Sequence, residues 1–404
     1  MKRKLLSLAA MAACAFAGGA QAQISDGIVK IGVLNDMSGL YSDITGPGSV
    51  TAAKMAVEDY IKATKSTLKV EIVSADHQNK PDVGSNVARQ WYDTDKVDMI
   101  ADVPTSSVGL AIAKISSDKG KLHVNSGSAT ADLSGKACNA NTIHWAYDTW
   151  MLANGTGKAI VKSGGDTWFF LTADYAFGQA LERDTEAVVL KNGGKVVGKV
   201  RTPFPTQDFS SFLLQAQASK AKIIGLANAG CDTTNSIKQA AEFGITKGGQ
   251  NLAGLLVFLP DVHSLGLNIA QGLKLTETFY WDLNDNTRAF TKRFAAAQGG
   301  KYPSMVQAGV YSSVIHYLKA VDAAKTDDGT KVAAKMKELP TDDPLFGKGT
   351  VRADGRKIHP AYLFEVKKPA ESKGPYDYYK LIATIPANEA FRPLAESDCP
   401  LVKK

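Results

Sequence analysis

The sequence predicts an α/β protein built as two doubly wound parallel-sheet lobes, and three observations predict it. From Ile28 onward, apolar runs of strand length alternate with amphipathic helical patterns. The alternation pauses at "CNANTIHWAYDTW" and restarts at "TWFFLTAD", as two similarly built units would. The chain of 404 residues is long enough for two domains of ordinary size.

In the first unit, "IVKIGVLN" reads as a strand and the Gly/Ser/Asp-rich "DMSGLYSDITGPGS" as a loop. The helix that follows carries Ala53, Ala56, Val57, Tyr60 and Ile61 on one face. "TLKVEIVSAD" is a strand, and "PDVGSNVARQWY" a helix with Pro81 in its first turn and Val83, Val87 and Trp91 on one face. "VDMIADVP" is a strand, "SVGLAIAKISSDKG" a helix closed by Gly120, and "KLHVNSG" a strand. In the second unit, the strands are "TWFFLTAD", "KVVGKVRT", "AKIIGLANA" and "NLAGLLVFLP". The helices between them are "AFGQALERDTEAVVLKNGG", "FSSFLLQAQASK" and "TTNSIKQAAEFGI". Helices over 286–300, 304–325 and 329–340 then follow with little strand between them, and the first unit is the one short of helices to cover its sheet. "GTVRADGRKIHPAYLFEVKK" and "YDYYKLIATIP" read as antiparallel strands around "ADGR".

The N-terminus has a separate logic. "MKRK" is a basic start, "LLSLAAMAACAFA" an apolar run too short to span a bilayer, and "AQA" a small-residue cleavage site, so residues 1–22 read as a secretory signal peptide. Lipidation at Cys14 is the rival, and Met11 fits a lipobox poorly. No later apolar run approaches a membrane span, so the expected mature protein is soluble outside the cytoplasm, in the periplasm. The net charge of +7 falls to +4 when Lys2, Arg3 and Lys4 leave with the signal. Acids and bases are interspersed without a basic tract, which excludes nucleic acid as the expected partner. The cysteines beyond the signal are Cys138, Cys231 and Cys399, which allow three pairings. Cys138 and Cys399, both in polar loops, are the preferred pair.

Ligands of open α/β sheets bind beyond the carboxyl ends of the strands, where several loops converge. In the first unit those loops carry small hydroxyls: Ser38, Ser42, Thr105, Ser106, Ser107, Ser126, Ser128 and Thr130. Hydroxyls and helix-start N–H groups together suit a small carboxylate without a full positive charge. Capping and turn roles for Ser106, Ser107 and Thr130 compete with that reading. Tyr41, Tyr175, Phe177 and Phe258 are wall or core-edge aromatics, and Asn228 and Asp232 are the polar candidates of the second unit. "GPGSVT" is a near miss for a dinucleotide fingerprint, lacking its third glycine. The sequence contains no phosphate-binding P-loop, HExxH, GxSxG or CxxC pattern, and its six histidines have no ligand spacing. Neither an enzyme, a cofactor nor a metal is expected.

In order and spacing, "VKIGVLNDMSGLYSD", "GSVTAAKMAVEDYI", "VDMIADVPTSSVGLAIAKIS", "NSGSATADLSG", "LTADYAFGQAL" and "SIKQAAEFGI" resemble the periplasmic solute-binding proteins of ABC importers. More narrowly, the resemblance is to the leucine/isoleucine/valine-binding type and covers essentially the whole mature chain. It implies two lobes joined by a three-crossing hinge, divided as 23–144 with 281–347 and 145–280 with 348–404. The crossings would fall near His144, near Tyr280 and near Phe346 to Gly349. It further implies that Ser106 or Ser107, with Ser128, Ala129 and Thr130, holds a substrate carboxylate. Tyr41, Tyr175, Phe177 and the segment Asn228 to Asp232 would wall the cleft. Such proteins pair a substrate ammonium with an acid near the strand after "NLAG". Here Phe258 and Leu259 occupy that place, with Asp261 just beyond. That departure points to a carboxylate without an amine, aromatic ligands included; Asp43 or Asp232 standing in for the acid leaves an amino acid open. The implied partners are a small carboxylate and a membrane permease, and the implied state is a monomer. A sensing module without transport is the alternative.

Overall fold

The computed structural model describes residues 24–403. The expected signal peptide and Cys14 lie outside them. Strands β1 (Val29–Asn35), β2 (Val70–Asp76), β3 (Met99–Asp102), β4 (Leu122–Asn125) and β5 (Thr142–His144) form one parallel sheet in the order 2-1-3-4-5. Its faces are covered by different helices. Val29, Ile31 and Val33 point into the core under helices Gly46–Thr64 and Met305–Ala324, and Leu34 and Ile100 meet Trp91, Val108 and Ile112 on the other side. Burial on both faces is why these strands read as unbroken apolar runs.

Strands β6 (Thr167–Ala173), β7 (Lys195–Thr202), β8 (Ile223–Ala227) and β9 (Asn251–Gly254) form a second parallel sheet in the order 7-6-8-9. β7 is an edge strand whose burial alternates, with Lys195, Lys199 and Arg201 among its outward positions. In each sheet the chain reverses direction around its first strand. The crevices between β1 and β3, and between β6 and β8, are therefore the topological switch points.

The helices Asp285–Ala297, Met305–Ala324 and Gly329–Glu338 return to the first sheet, as its shortage of helices led us to expect. The Ser304 side chain accepts from the Val306 and Gln307 amides while Gln307 accepts from the Ser304 amide, a reciprocal cap that starts the long helix. The same two side chains reach the opening loop: Ser304 Oγ donates to the Ile44 carbonyl at 2.6 Å and Gln307 Nε2 to the Thr45 carbonyl at 2.9 Å.

Three features depart from the sequence expectation. The strand read over "NLAGLLVFLP" ends at Gly254, and helix Leu259–Leu265 begins where its last residues were expected. Pro260 sits in the first turn of that helix, and Asp261 accepts from the Phe258 amide at 2.9 Å. The short strands β10 (Lys274–Glu277) and β11 (Thr341–Asp343) were not anticipated. β11 pairs with β12 (Gly347–Val351), which pairs with β13 (Lys357–Ile358) around the expected "ADGR" turn. β14 (Ala361–Val366) lies between β10 and β15 (Tyr379–Ile385), all antiparallel. Cys138 and Cys399 are joined by a disulfide with their Cα atoms 5.5 Å apart, and Cys231 is free. Among the described residues, no helix is long and apolar enough to cross a membrane.

Candidate ligand-binding site

Loops from the carboxyl ends of both sheets line a narrow cavity of about 20 Å³, drawn tight where the two walls touch. From the first sheet, the segment after β1 supplies Tyr41, Ile44 and Thr45, that after β3 supplies Pro104, Thr105 and Ser106, and that after β4 supplies Gly127 and Ala129. The second sheet supplies Tyr175, Phe177 and Ala229, and the loop after β9 adds Leu256 and Phe258. Tyr147 from the segment after β5 and Val306 from the long helix complete the lining. No lining residue carries a charge.

The polar end of the cavity is built on strained backbone. Asp102, Val103 and Thr105 have φ of +76°, +57° and +72°, a region that costs a non-glycine residue about 1–3 kcal/mol. The Ser128 hydroxyl holds this turn by donating to the Val103 carbonyl at 2.6 Å, and Ser128 is itself fixed by paired contacts with Asn125. Gly127 forms the floor, where a Cβ would lie 2.6 Å from the Pro104 nitrogen, so no larger residue fits without moving that backbone. Helix Ser106–Asp118 starts at this point without a side-chain cap, and its first N–H groups have no intrahelical partner. Ser106 Oγ accepts from the Thr130 amide at 3.1 Å, which leaves its own proton to donate.

The other end is aromatic. Tyr41 and Tyr175 reach across from opposite sheets, with their hydroxyls 2.5 Å apart. Phe204 stacks on Tyr175 at 4.0 Å and on Tyr41 at 6.2 Å. Tyr147 meets Phe258 edge-on at 6.0 Å and donates its hydroxyl to the Gly127 carbonyl at 2.8 Å. Burial, followed by the neighbouring tyrosine, pushes the Tyr41 phenol well above its usual range, and burial does the same to Tyr147 and Tyr175. All three are therefore neutral hydroxyls at neutral pH. Beside them, Gly230 packs on the Leu40 carbonyl and the Tyr41 ring, so the two walls touch.

The structure brings Tyr41, Thr105, Ser106, Ala129, Tyr175, Phe177 and Phe258 to the cavity, and leaves the other named residues outside its lining. Asp43 points outward and pairs with Lys301 at 2.9 Å. Ser107 lies half-buried one position beyond the lining. Ser128 and Thr130 are buried but turned away, Ser128 onto Val103 and Thr130 Oγ1 onto the Asp132 amide at 3.3 Å. Asn228 is spent on Ser236 and Thr233 at 2.9 and 2.7 Å. Asp232 is buried behind the wall, where one oxygen accepts from the Thr206 amide at 3.2 Å and the other has no partner. Burial pushes its carboxyl up to about 7. Asp261, also pushed up to about 7 by burial, caps its own helix and does not face the ligand space.

Sequence reasoning missed Ile44, Thr45, Pro104, Gly127, Tyr147, Leu256 and Val306 as lining, while Ala229 falls within the expected wall segment Asn228 to Asp232. Gly127 and Pro104 stand in the strand-end loops but carry no polar side chain to mark them as ligand contacts. Tyr147 lies in a connecting segment and Val306 on a helix about 160 residues further along the chain, and only the fold brings either one here.

Two doubly wound sheets whose switch-point loops meet over a small uncharged cavity make a solute-binding architecture. The chain belongs to the periplasmic binding protein family, whose model matches residues 28–374. A periplasmic binding protein from Burkholderia mallei is 51% identical, with a TM-score of 0.91 over 94% of this chain and 100% of its own. A branched-chain amino acid ABC transporter periplasmic ligand-binding protein from Burkholderia xenovorans LB400 is 42% identical, with a TM-score of 0.82 over 93% and 100%. At 21% identity, a solute-binding protein of an ABC transporter from R. palustris, solved in complex with benzoate, shares the fold with a TM-score of 0.77 over 89% and 97%.

Proposed function

We propose that the protein is exported and captures a small carboxylate without an ammonium group, with an aromatic body, and delivers it to the membrane permease of an ABC importer. The observation that carries this reading is the uncharged lining: hydroxyls and helix-start amides at one end, and Phe177, Phe258 and tyrosines at the other. An α-ammonium buried there would have no carboxylate beside it, and an unpaired buried charge is costly. Of the acids that could have replaced the missing partner, Asp43 pairs with Lys301, Asp261 accepts from the Phe258 amide, and Asp232, with one oxygen unpartnered, is buried behind the wall and outside the lining. The benzoate-bound R. palustris protein of the same fold supports the aromatic part of the reading. The name of the B. xenovorans relative favours an amino acid, and the lining argues against following it here.

Ser106, the N–H groups at the helix start and the backbone around Ala129 hold the carboxylate, and the aromatic end encloses the ring. The lobes, divided at 144/145, 280/281 and 347/348, close over it as a monomer, and the ligand favours the closed form by touching both walls.

A thermal-shift screen of the mature chain tests this. The panel sets benzoates, cinnamates and keto acids beside branched-chain and aromatic amino acids. Ligand at about 100 times its dissociation constant stabilises by roughly 2.7 kcal/mol, a shift on the order of several degrees. Shifts from the amine-free acids are expected, and shifts confined to the amino acids would refute the reading.

A further inference from the structure

We infer that the ligand carries a hydroxyl beside its carboxylate, as a 2-hydroxy acid or an ortho-hydroxy aromatic acid does, and that Thr105 recognises it. The inference rests on the amine-free reading above and adds to it the polarity of one atom.

The argument begins at Asp36, which is fully buried at the end of β1. Three N–H groups converge on its carboxylate: the amides of Gly39 at 2.6 Å and Tyr41 at 2.9 Å, and the Asn79 side chain at 2.6 Å. A carboxylate in that setting accepts, so the Asn79 amide must turn its NH2 toward Asp36 and its carbonyl the other way. That carbonyl oxygen contacts Thr105 Oγ1. A carbonyl cannot donate, so the Thr105 hydroxyl gives its only proton to Asn79. What Thr105 then presents to the cavity is a pair of lone pairs.

The neighbouring group has the opposite polarity. Ser106 Oγ accepts from Thr130 and keeps its proton for the ligand. Two consecutive residues of one lining thus offer an acceptor and a donor. A bare carboxylate satisfies Ser106 and the helix amides and leaves Thr105 facing a group that cannot donate to it. Tyr147, whose proton goes to the Gly127 carbonyl, is a second acceptor in the same lining. A ligand hydroxyl supplies the missing proton. An ammonium would too, but the lining has no acid to balance its charge.

Calorimetric titration of the mature chain with matched acids tests the inference: mandelate against phenylacetate, salicylate against benzoate, and phenylglycine as the ammonium counterpart of mandelate. In the parent protein at least one hydroxy acid is expected to bind roughly tenfold or more tightly than its partner, the worth of one well-formed hydrogen bond. Thr105→Val, which keeps the shape and removes the acceptor, is expected to erase that preference by weakening the hydroxy acid about tenfold more than its plain partner. Equal binding within both pairs of the parent protein overturns the inference and needs no variant. A preference that survives in a folded Thr105→Val protein overturns the role of Thr105. The two readings fail differently. If the plain acids bind and gain nothing from a hydroxyl, only this inference falls. If phenylglycine is the tightest of the set, the amine-free reading falls with it.

Discussion

Tyr175 and Asp102 show how far single residues determine this site. The Tyr175 hydroxyl has Tyr41 as its partner, and the two belong to opposite walls. Tyr175→Phe removes a hydrogen bond that exists only when the walls meet, and leaves the Tyr41 hydroxyl buried without it. Ligand affinity is expected to fall by about tenfold, since one such bond is worth about 1–1.5 kcal/mol. Dissociation constants from titration calorimetry check this, and unchanged affinity would remove the pair from the proposed closure. Asp102 lies behind the Gly127 floor, with one oxygen contacted by Asn35 at 3.3 Å and the other without a partner. Burial pushes its carboxyl up to about 7. The folded protein therefore keeps a proton that the unfolded chain releases near pH 4. Stability from this group is full below that value, declines as pH rises toward 7, and is level above it. Asp102→Asn removes the slope. Urea melts at pH 5 and pH 8 should show the variant gaining on the parent as pH rises, by on the order of a few kcal/mol. Parallel curves would mean that Asp102 is already ionised in the fold.

Elements carry the site more than individual loops do. The long helix from Met305 closes the first sheet, supplies Val306 to the cavity and, through Ser304 and Gln307, anchors the loop at Ile44 and Thr45. Ser304→Ala removes both the cap and that anchor. The expected cost is about 1–2 kcal/mol, the upper part of the range for a lost N-cap, read as a lower urea midpoint with weaker ligand binding. At this scale much was legible in the sequence. Ile31 and Val33, the pattern around Tyr60, and Pro81 ahead of Trp91 fixed the strand–helix alternation, and the strand-end loops pointed to the right end of each sheet. The illegible parts have physical reasons. β10 is four residues long and carries no alternation, so only its pairing with β14 makes it a strand. Phe258 was read as the end of a strand, whereas Pro260 and the Asp261 cap favour a helix start. Asp43, Asp261 and Asn228 were chemically suitable for a ligand. Partners distant in sequence, or within their own turn, took them instead, and composition cannot reveal which.

For the whole molecule, the disulfide between Cys138 and Cys399 ties the segment after β15 to the connection between β4 and β5 of the first sheet, across a sequence separation of 261. Closing so long a loop restricts the unfolded chain strongly, and such bonds typically contribute about 2–5 kcal/mol. Replacing both cysteines by serine should lower the melting temperature by several degrees and leave the ligand preference intact, because neither residue lines the cavity. A changed preference in that variant would show that the bond also sets the geometry of the cleft. At the same scale, the proposed preference for an amine-free acid rests on the uncharged cavity between two touching walls. The most direct test is a pair of titrations on one carbon skeleton, 3-phenyllactate against phenylalanine, which differ only in a hydroxyl or an ammonium at the same carbon. The account predicts that phenyllactate binds and phenylalanine binds far more weakly or not at all; tighter binding of phenylalanine would contradict it.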